Sequence, residues 1–455
     1  MSDLAKVNSL ISWLREKGGH FHESAEIKID SETGVSPFST ASIGPDEGLV
    51  SCPFELAITA DLASQAICEV KGIKSEDLVW PVGTSKEGEI WNERMRISAY
   101  LGLHWIYKEK DEQLPSALAH SPYIEALPST SNLTTPLYFS SAELDLLKGS
   151  TMYQAVNARK QEWKAESDAI RSVLKEDGLT WDRYLASATY LSSRSFPSKL
   201  LRRPEEGSVT HEAKKDEESQ PVLLPGLDLF NHSRGQPILW LSSNKTHRTG
   251  KDTSSISLVS TEITEKGVQL YNNYGPKSNE ELLLGYGFVI PNNPDDVVML
   301  KLGTSGLPLP IIEKLKNKKF DANKLFELRR NGEIDKSLSE IMRIMLNEHD
   351  CNDHDEIDED DEHALHQHEE DELQLEMDVL GMLGGMLDDK LEKLQTTHKV
   401  EEKEGEVRSE IRKMCDIYKQ GQIDILNAAM DKISERIERI EGLLDEGMGG
   451  CPCGC

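Results

Sequence analysis

Two segments combine residues that could do chemistry with apolar neighbours that would hold them in place. The first, VLLPGLDLFNHS at 222–233, is an apolar run containing Asp228, Asn231 and His232, with no charged partner inside the run. The second, YNNYGPKSNEELLLGYGFV at 271–289, has a tyrosine on either side of a polar turn, and its Asn279 is predicted to cap a helix. Neither segment resembles a phosphate loop, a nucleophile elbow or a zinc motif, which argues against conventional hydrolase and kinase chemistry.

Length and composition describe a globular protein of several structural units. The 455 residues exceed what one compact core usually contains, and 37% are hydrophobic against 29% charged. No run of about 18 apolar residues is present, which excludes a membrane span. The first residues, MSDLAKVNSLISWLREKGG, predict an amphipathic helix stopped by two glycines and lack the apolar block of a signal peptide. Most cysteines are scattered singly, without a disulfide framework, so we expect a cytoplasmic or nuclear protein.

The net charge of −29 argues against nucleic acid as a partner and favours a basic protein. Part of this charge lies at 353–372, which carries 12 acidic residues and no Lys or Arg. This stretch is predicted to be a disordered, solvated insertion. The more specific alternative is that its negative charge attracts basic substrates. Its four histidines are irregularly spaced and do not indicate a metal site. The tail CPCGC could bind a soft metal, accept a lipid or be a flexible end without a role in the fold.

Periodicity predicts short strands at 26–60, helices from about 62 to 190, and further strands in PVLLPGLDLF, SSISLVSTEI and GVQLYNNYG. From about 295 the pattern is largely helical, and the last long stretch keeps an apolar stripe at helical spacing.

In the order and spacing of its motifs, the sequence resembles the SET-domain protein methyltransferases of the Rubisco large-subunit methyltransferase-like branch. That branch also contains ribosomal-protein lysine methyltransferases and an actin-histidine methyltransferase. The stretches that carry the resemblance, besides the two segments above, are GGHFHESAEIKI, ERMRISAYLGLHWIY, SPYIEALP, LASATYLSSRSF and IYKQGQIDIL. Each alone is weak, but their order and spacing together are specific.

The resemblance implies an α+β fold: a β-rich SET core with a helical insert, followed by an all-helical C-terminal substrate-binding domain. The predicted divisions are 1–90 for the N-terminal helix and first half of the core, 91–202 for the insert, 203–220 for a polar linker, 221–290 for the second half of the core with the active site, 291–447 for the helical domain with the acidic insertion at 353–372, and 448–455 for the Cys-rich tail.

The resemblance further implies a monomeric, S-adenosyl-L-methionine-dependent protein-lysine N-methyltransferase with no metal, acting on a basic non-histone protein such as a ribosomal protein. Tyr274 matches the catalytic tyrosine. The cofactor-binding positions it implies are Arg194, Asn231, His232, Tyr286 and Ser36, and the substrate-binding positions are Phe196, Leu227 and Tyr286. Because Phe196 and Leu227 replace an Asn and a Trp of the actin-histidine branch, and an apolar channel suits a lysine stem, lysine is favoured over histidine.

One position departs from the family pattern. The cofactor loop of the family is Gly-x-Gly, whereas this chain has GVSP, with Ser36 at the second glycine and a proline after it. Glycine allows close approach of the backbone to a ligand, and proline removes a hydrogen-bond donor. The alternatives are therefore a catalytically inactive SET fold that binds partners, or an escort for basic proteins that works through the acidic stretch and the long helices.

Overall fold

The computed structural model describes residues 2–202, 219–246, 252–303, 306–321, 324–346, 362–396 and 407–449. The helices are α1 Asp3–Glu16, α2 Ala60–Lys71, α3 Glu93–Glu109, α4 Ser121–Ala126, α5 Ser141–Asp145, α6 Thr151–Leu174, α7 Trp181–Arg194, α8 Asn279–Tyr286, α9 Leu309–Asn317, α10 Lys336–Leu346, α11 Glu362–Thr396 and α12 Ser409–Gly449. The strands are β1 His20–Phe21, β2 Ala25–Asp30, β3 Gly34–Ser39, β4 Gly48–Pro53, β5 Ser195–Pro197, β6 Pro221–Leu223, β7 Ile238–Thr246, β8 Asp252–Ser260, β9 Val297–Lys301 and β10 Leu325–Arg329.

The chain divides into two compact units, Met1–Thr135 with Asn157–Pro276, and Pro136–Val156 with Lys277–Cys455. The first unit contains a four-stranded antiparallel sheet in the order β1-β4-β8-β7. Strands β2 and β3 form a separate antiparallel pair, as do β5 and β6. Helix α3 packs against α2 and α7 beside these strands. The mixture of strands and helices predicted for the SET core is therefore confirmed.

Local sequence signals explain where the helices of the first unit start. The side chain of Asn92 accepts a hydrogen bond from Met95 N at 2.9 Å and caps α3, and Thr180 caps α7 in the same way. Helix α7 ends at Arg194 and the chain continues directly into β5, which fixes the position of this arginine at the junction. The predicted N-terminal helix is confirmed as α1.

The apolar run at 222–230 is an interior turn rather than a continuous strand. Only Pro221–Leu223 pairs as β6, and a short 3-10 turn at Leu227–Leu229 follows. Gly226 permits this change of direction, since its φ is 91° and a Cβ at this position would lie 2.8 Å from Leu14 Cδ2. The apolar residues of this run are thus buried, as predicted, and the polar residues at its end follow a closely packed turn.

The second unit is mostly helical, with α11 and α12 packed along each other. Its core includes Leu300, Phe326, Leu383 and Ile425, which are almost fully buried. The prediction of an all-helical domain is wrong in one respect, because β9 and β10 form an antiparallel pair. The sequence LFELR alternates exposed and buried side chains, which is the strand period.

The predicted acidic insertion is described only in part. Residues 353–361 lie outside the described residues, whereas from Glu362 onward the chain is helical in α11. The prediction of disorder up to 372 is therefore wrong for its second half, since a helix continuous with a packed segment extends through it. Most of the predicted linker and the CPCGC tail also lie outside the described residues. Among the described residues, none of the helices combines the length and the apolar character needed to span a bilayer.

Candidate active site

The two chemistry-bearing segments of the sequence meet in the first unit through main-chain hydrogen bonds. Asn272 N donates to Asn231 O at 2.7 Å, and Ser233 N donates to Asn272 O at 2.9 Å. These bonds form a parallel bridge between His232 and Asn272. The predicted proximity of Asn231, His232 and Tyr274 is consequently realised by the backbone itself, before any side chain contributes.

Side chains then lock Tyr274 against His232. Tyr274 N donates to His232 Nδ1 at 3.0 Å, and the two rings are stacked with centroids 5.0 Å apart and planes 21° from parallel. The Tyr274 hydroxyl donates to Phe230 O at 3.0 Å. Because Nδ1 accepts a hydrogen bond, the neutral imidazole of His232 carries its proton on Nε2. Both the ring and the hydroxyl of Tyr274 therefore have a defined position.

Arg194 is held by a buried carboxylate that the sequence did not pair with it. Its Nη1 donates to Asp228 O at 3.0 Å and to Asp228 Oδ2 at 3.2 Å, and the Tyr123 hydroxyl donates to the same Oδ2 at 3.0 Å. Asp228 has no charged partner inside its own segment, and the end of α7 brings Arg194 to it across 34 positions. The Arg194 side chain retains 23% of its exposure, and its Nε and Nη2 have no hydrogen-bond partner among the described residues.

Burial and the neighbouring charge have opposite effects on the pKa values of Asp228 and Arg194. Burial raises the pKa of the Asp228 carboxyl above its ordinary value, and the charge of Arg194 and the hydrogen bond from Tyr123 offset only part of that effect. Burial also disfavours the charged form of Arg194, but Asp228 raises the arginine pKa on balance. The result is a cation whose position is fixed on one side and whose remaining donors are available on the other.

Asn231 and Ser36 contact each other directly. Asn231 Nδ2 donates to Ser36 Oγ at 2.8 Å and to Thr33 O at 3.2 Å. Ser36 is fully buried in β3. The GVSP segment that departs from the family pattern, expected as a loop, is the start of strand β3, and it contacts Asn231 through Ser36.

The predicted substrate-channel residues lie in the interior. Phe196 is buried in β5 and Leu227 in the turn before Asp228. The Phe196 ring contacts Trp240 edge-on, with centroids 5.0 Å apart, and Trp240 Nε1 donates to Asn272 Oδ1 at 2.8 Å. Trp240 was not predicted from the sequence, although an aromatic residue near the start of the strand after the Asn231-His232-Ser233 turn is a usable signal. Contact of these side chains with a substrate stays a prediction.

Tyr286 belongs to the second unit, at the end of α8. Its ring contacts Phe288 edge-on at 6.2 Å, and Lys277 Nζ lies 5.8 Å from the ring centroid. Burial raises the pKa of its hydroxyl. Its predicted role at the active site stays a prediction.

The helix that follows Tyr274 starts one residue earlier than expected. Ser278, not Asn279, caps α8, because Ser278 Oγ accepts from Glu281 N while the Glu281 carboxylate accepts from Ser278 N. Asn279 is the first helical residue, and its side chain instead bonds Asp296 and the Ile290 main chain. The Ser-x-x-Glu spacing of this capping box was visible in the sequence.

The chain is similar to known proteins along much of its length, although no family model matches it. The ribosomal lysine N-methyltransferase set10 of Schizosaccharomyces pombe is 38% identical over 303 residues, covering 65% of this chain and 48% of that protein. The actin-histidine N-methyltransferase of Drosophila melanogaster is 26% identical over 324 residues, covering 66% of this chain and 52% of that protein. The chain thus spans about half the length of these curated relatives.

Solved structures of similar fold cover nearly the whole chain. The SET domain of LSMT, the Rubisco large-subunit methyltransferase, bound to lysine and AdoHcy superposes with a TM-score of 0.67 at 16% identity, covering 99% of this chain and 97% of that one. Rubisco LSMT bound to AdoMet gives the same TM-score at 17% identity with the same coverage. The chain therefore has the fold of the Rubisco LSMT SET-domain structures.

Proposed function

We propose that the protein is an S-adenosyl-L-methionine-dependent protein-lysine N-methyltransferase acting on a basic non-histone protein, with a ribosomal protein as the first candidate. The observation that carries this proposal is that Arg194 and Tyr274 both contact the turn at 228–233, which itself carries Asn231 and His232. The similarity to lysine methyltransferases named as ribosomal supports the substrate class.

The residues present fit the amino-acid part of such a cofactor. That part carries a carboxylate and an ammonium group, which need a cationic donor and an uncharged acceptor. Arg194 has donors without a partner among the described residues, and Asn231 Oδ1 likewise has no partner among them. A guanidinium pairs with both oxygens of a carboxylate, and an amide oxygen accepts from an ammonium. Arg194 therefore suits the carboxylate of the cofactor, and the amide oxygen of Asn231 suits its ammonium group.

The cofactor, when bound, supplies a methyl group activated by a sulfonium charge. The protein must supply a neutral amine in line with it. A lysine amine has a free pKa of about 10.4, so its neutral form near pH 7 costs roughly 4 to 5 kcal/mol. A dry channel lowers that cost because burial penalises the ammonium. No strong base is then needed: the lysine loses its proton to water, and the Tyr274 hydroxyl oxygen orients the amine.

The interior side chains favour lysine over histidine. Phe196 and Leu227 are apolar and buried, and they provide no hydrogen-bond partner for an imidazole. The apolar stem of a lysine suits such surroundings. The acidic balance of the chain, −29, complements a basic partner and disfavours nucleic acid. The same proposal includes action as a monomer. It also includes a cytoplasmic or nuclear location, which the singly scattered cysteines support.

Replacing Tyr274 by Phe tests the proposal. The ring keeps its stack on His232 while the hydroxyl that orients the amine is lost, so methyl transfer should fall by roughly 10²-fold or more. Cofactor affinity measured by calorimetry should change much less. Tyr107→Phe, on the partly exposed face of α3, is the matched control and should leave transfer unchanged. Transfer by Tyr274→Phe at the normal rate would contradict the assignment.

Two other functions compete, an inactive SET fold that binds partners and an escort for basic proteins. Both predict no turnover and no affinity for S-adenosylmethionine, so calorimetric titration of the cofactor separates the methyltransferase from both. Deleting 353–372 addresses the escort hypothesis, because binding of basic partners should then be lost. If binding survives the deletion, the escort hypothesis is wrong.

A further inference from the structure

Ser36 occupies a position where the family pattern has glycine, and the structure accommodates its side chain without strain. The residue of this loop in the left-handed region is Gly34, with φ 72°, whereas Ser36 is not among the residues of positive φ. The Ser36 side chain is fully buried, and its Oγ lies 3.2 Å from Thr33 Oγ1. A serine is therefore compatible with the backbone here, and its hydroxyl makes contacts that a glycine could not make.

The most consequential of these contacts is with Asn231. The amide nitrogen of Asn231 has two hydrogens and two acceptors, Ser36 Oγ at 2.8 Å and Thr33 O at 3.2 Å. A main-chain carbonyl can only accept, so the NH₂ end of the amide must face this loop. The amide oxygen then faces away from the loop. It has no hydrogen-bond partner among the described residues.

We propose that Ser36 is a positioning residue that fixes the Asn231 amide with its oxygen presented to the ammonium group of the cofactor. This inference rests on the proposed function and adds to it. With glycine at 36 the amide would keep only the Thr33 carbonyl as an acceptor, and it would be freer to rotate. The serine that departs from the Gly-x-Gly pattern thus gives the Asn231 amide a second acceptor.

The inference predicts an effect on cofactor affinity and not on the chemical step. Ser36→Ala and Ser36→Gly should each weaken S-adenosylmethionine binding by about three- to ten-fold, the range expected for one hydrogen bond. The rate of transfer at saturating cofactor should stay unchanged, and so should the KM for the protein substrate. Calorimetry and steady-state kinetics on the full chain measure these quantities.

A double-mutant cycle separates positioning from a general structural effect. If Ser36 acts through the amide, Ser36→Ala should have no further effect on affinity in an Asn231→Ala background. Ser64→Ala is the matched control, because Ser64 is also buried in the first unit and its hydroxyl donates to Ala60 O at 2.8 Å. It should leave cofactor affinity unchanged.

The outcomes distinguish this inference from the proposed function. Wild-type affinity in both Ser36 variants, or an equal loss with and without Asn231, would overturn the positioning role while leaving the methyltransferase assignment intact. Failure of the wild-type protein to bind S-adenosylmethionine would overturn both. Coupled loss of affinity, present only when Asn231 is intact, supports the inference.

Discussion

Replacing Arg194 by Gln should separate the two tasks that the structure gives this side chain. On one side its Nη1 contacts Asp228 O and Oδ2 at 3.0 and 3.2 Å, and the Asp228 side chain is only 2% exposed. On the other side, Nε and Nη2 have no partner among the described residues and are proposed to bind the cofactor carboxylate. The substitution removes both contacts and so predicts a loss of stability and a loss of affinity.

The size of each loss follows from the exposure of the groups. Removing one partner of a fully buried ion pair costs about 3 to 5 kcal/mol, but Arg194 is 23% exposed and Asp228 can take up a proton, so we expect about 2 kcal/mol. Loss of charge-assisted hydrogen bonds to a carboxylate is worth about 1.5 to 3 kcal/mol, which weakens binding roughly 10- to 150-fold.

Thermal unfolding and calorimetry with S-adenosylmethionine measure the two losses separately. Adding Asp228→Asn to Arg194→Gln removes the unpaired carboxylate, so stability should recover while affinity stays low. Arg171→Gln is the matched control, since among the residues that the structure describes Arg171 pairs with the fully exposed Asp177 at 3.5 Å. Cofactor binding by Arg194→Gln as tight as that of the wild type, or recovery of affinity in the double variant, would contradict the proposed role of Arg194.

Two further predictions concern pH and stability. Burial lowers the pKa of His104 and of His120 from 6.5 to about 4, so the unfolded chain takes up protons on both rings at a higher pH than the folded chain does. Denaturation experiments should therefore show stability falling as pH drops from about 6.5 to 4, by up to about 1.4 kcal/mol per pH unit for each ring, and a flat profile would contradict this burial. In the second unit, Arg408 holds the pKa of the Glu143 carboxyl at about 2, so stability from this pair is present above pH 4.5 and is lost as pH falls toward 2. Arg408→Met should cost about 1 kcal/mol at pH 7, because Arg408 is itself partly exposed, and the difference from wild type should shrink in acid; a difference independent of pH would argue against the pair.

The meeting of Asn231, His232 and Tyr274 was predictable because all three lie in recognisable motifs of a family whose topology joins those motifs. Long helices such as α3 and α6 were also predictable, since apolar residues recur at helical spacing over many turns. These signals are local in the sequence or repeated along it. They predict the structure correctly because the apolar faces seen in the sequence are the faces that the folded protein buries.

The contacts that fix the side chains could not be predicted in the same way. Asp228 and Arg194 are 34 positions apart, and Asn231 and Ser36 are 195 apart, so only the fold reveals that they pair. The strand pair β9 and β10 was missed because five-residue strands give a weak signal beside long helices. The Ser278 cap, by contrast, was a local signal that was overlooked.

The most direct test of the proposed function is mass spectrometry of a ribosomal protein fraction from cells lacking this protein, incubated with the purified protein and isotopically labelled S-adenosylmethionine. The expected result is a labelled methyl group on a lysine side chain of a basic protein, and no such label when Tyr274→Phe replaces the wild type. Labelled histidine would contradict the choice of substrate side chain. No labelled protein in any basic fraction, together with no affinity for the cofactor, would contradict the enzymatic assignment itself.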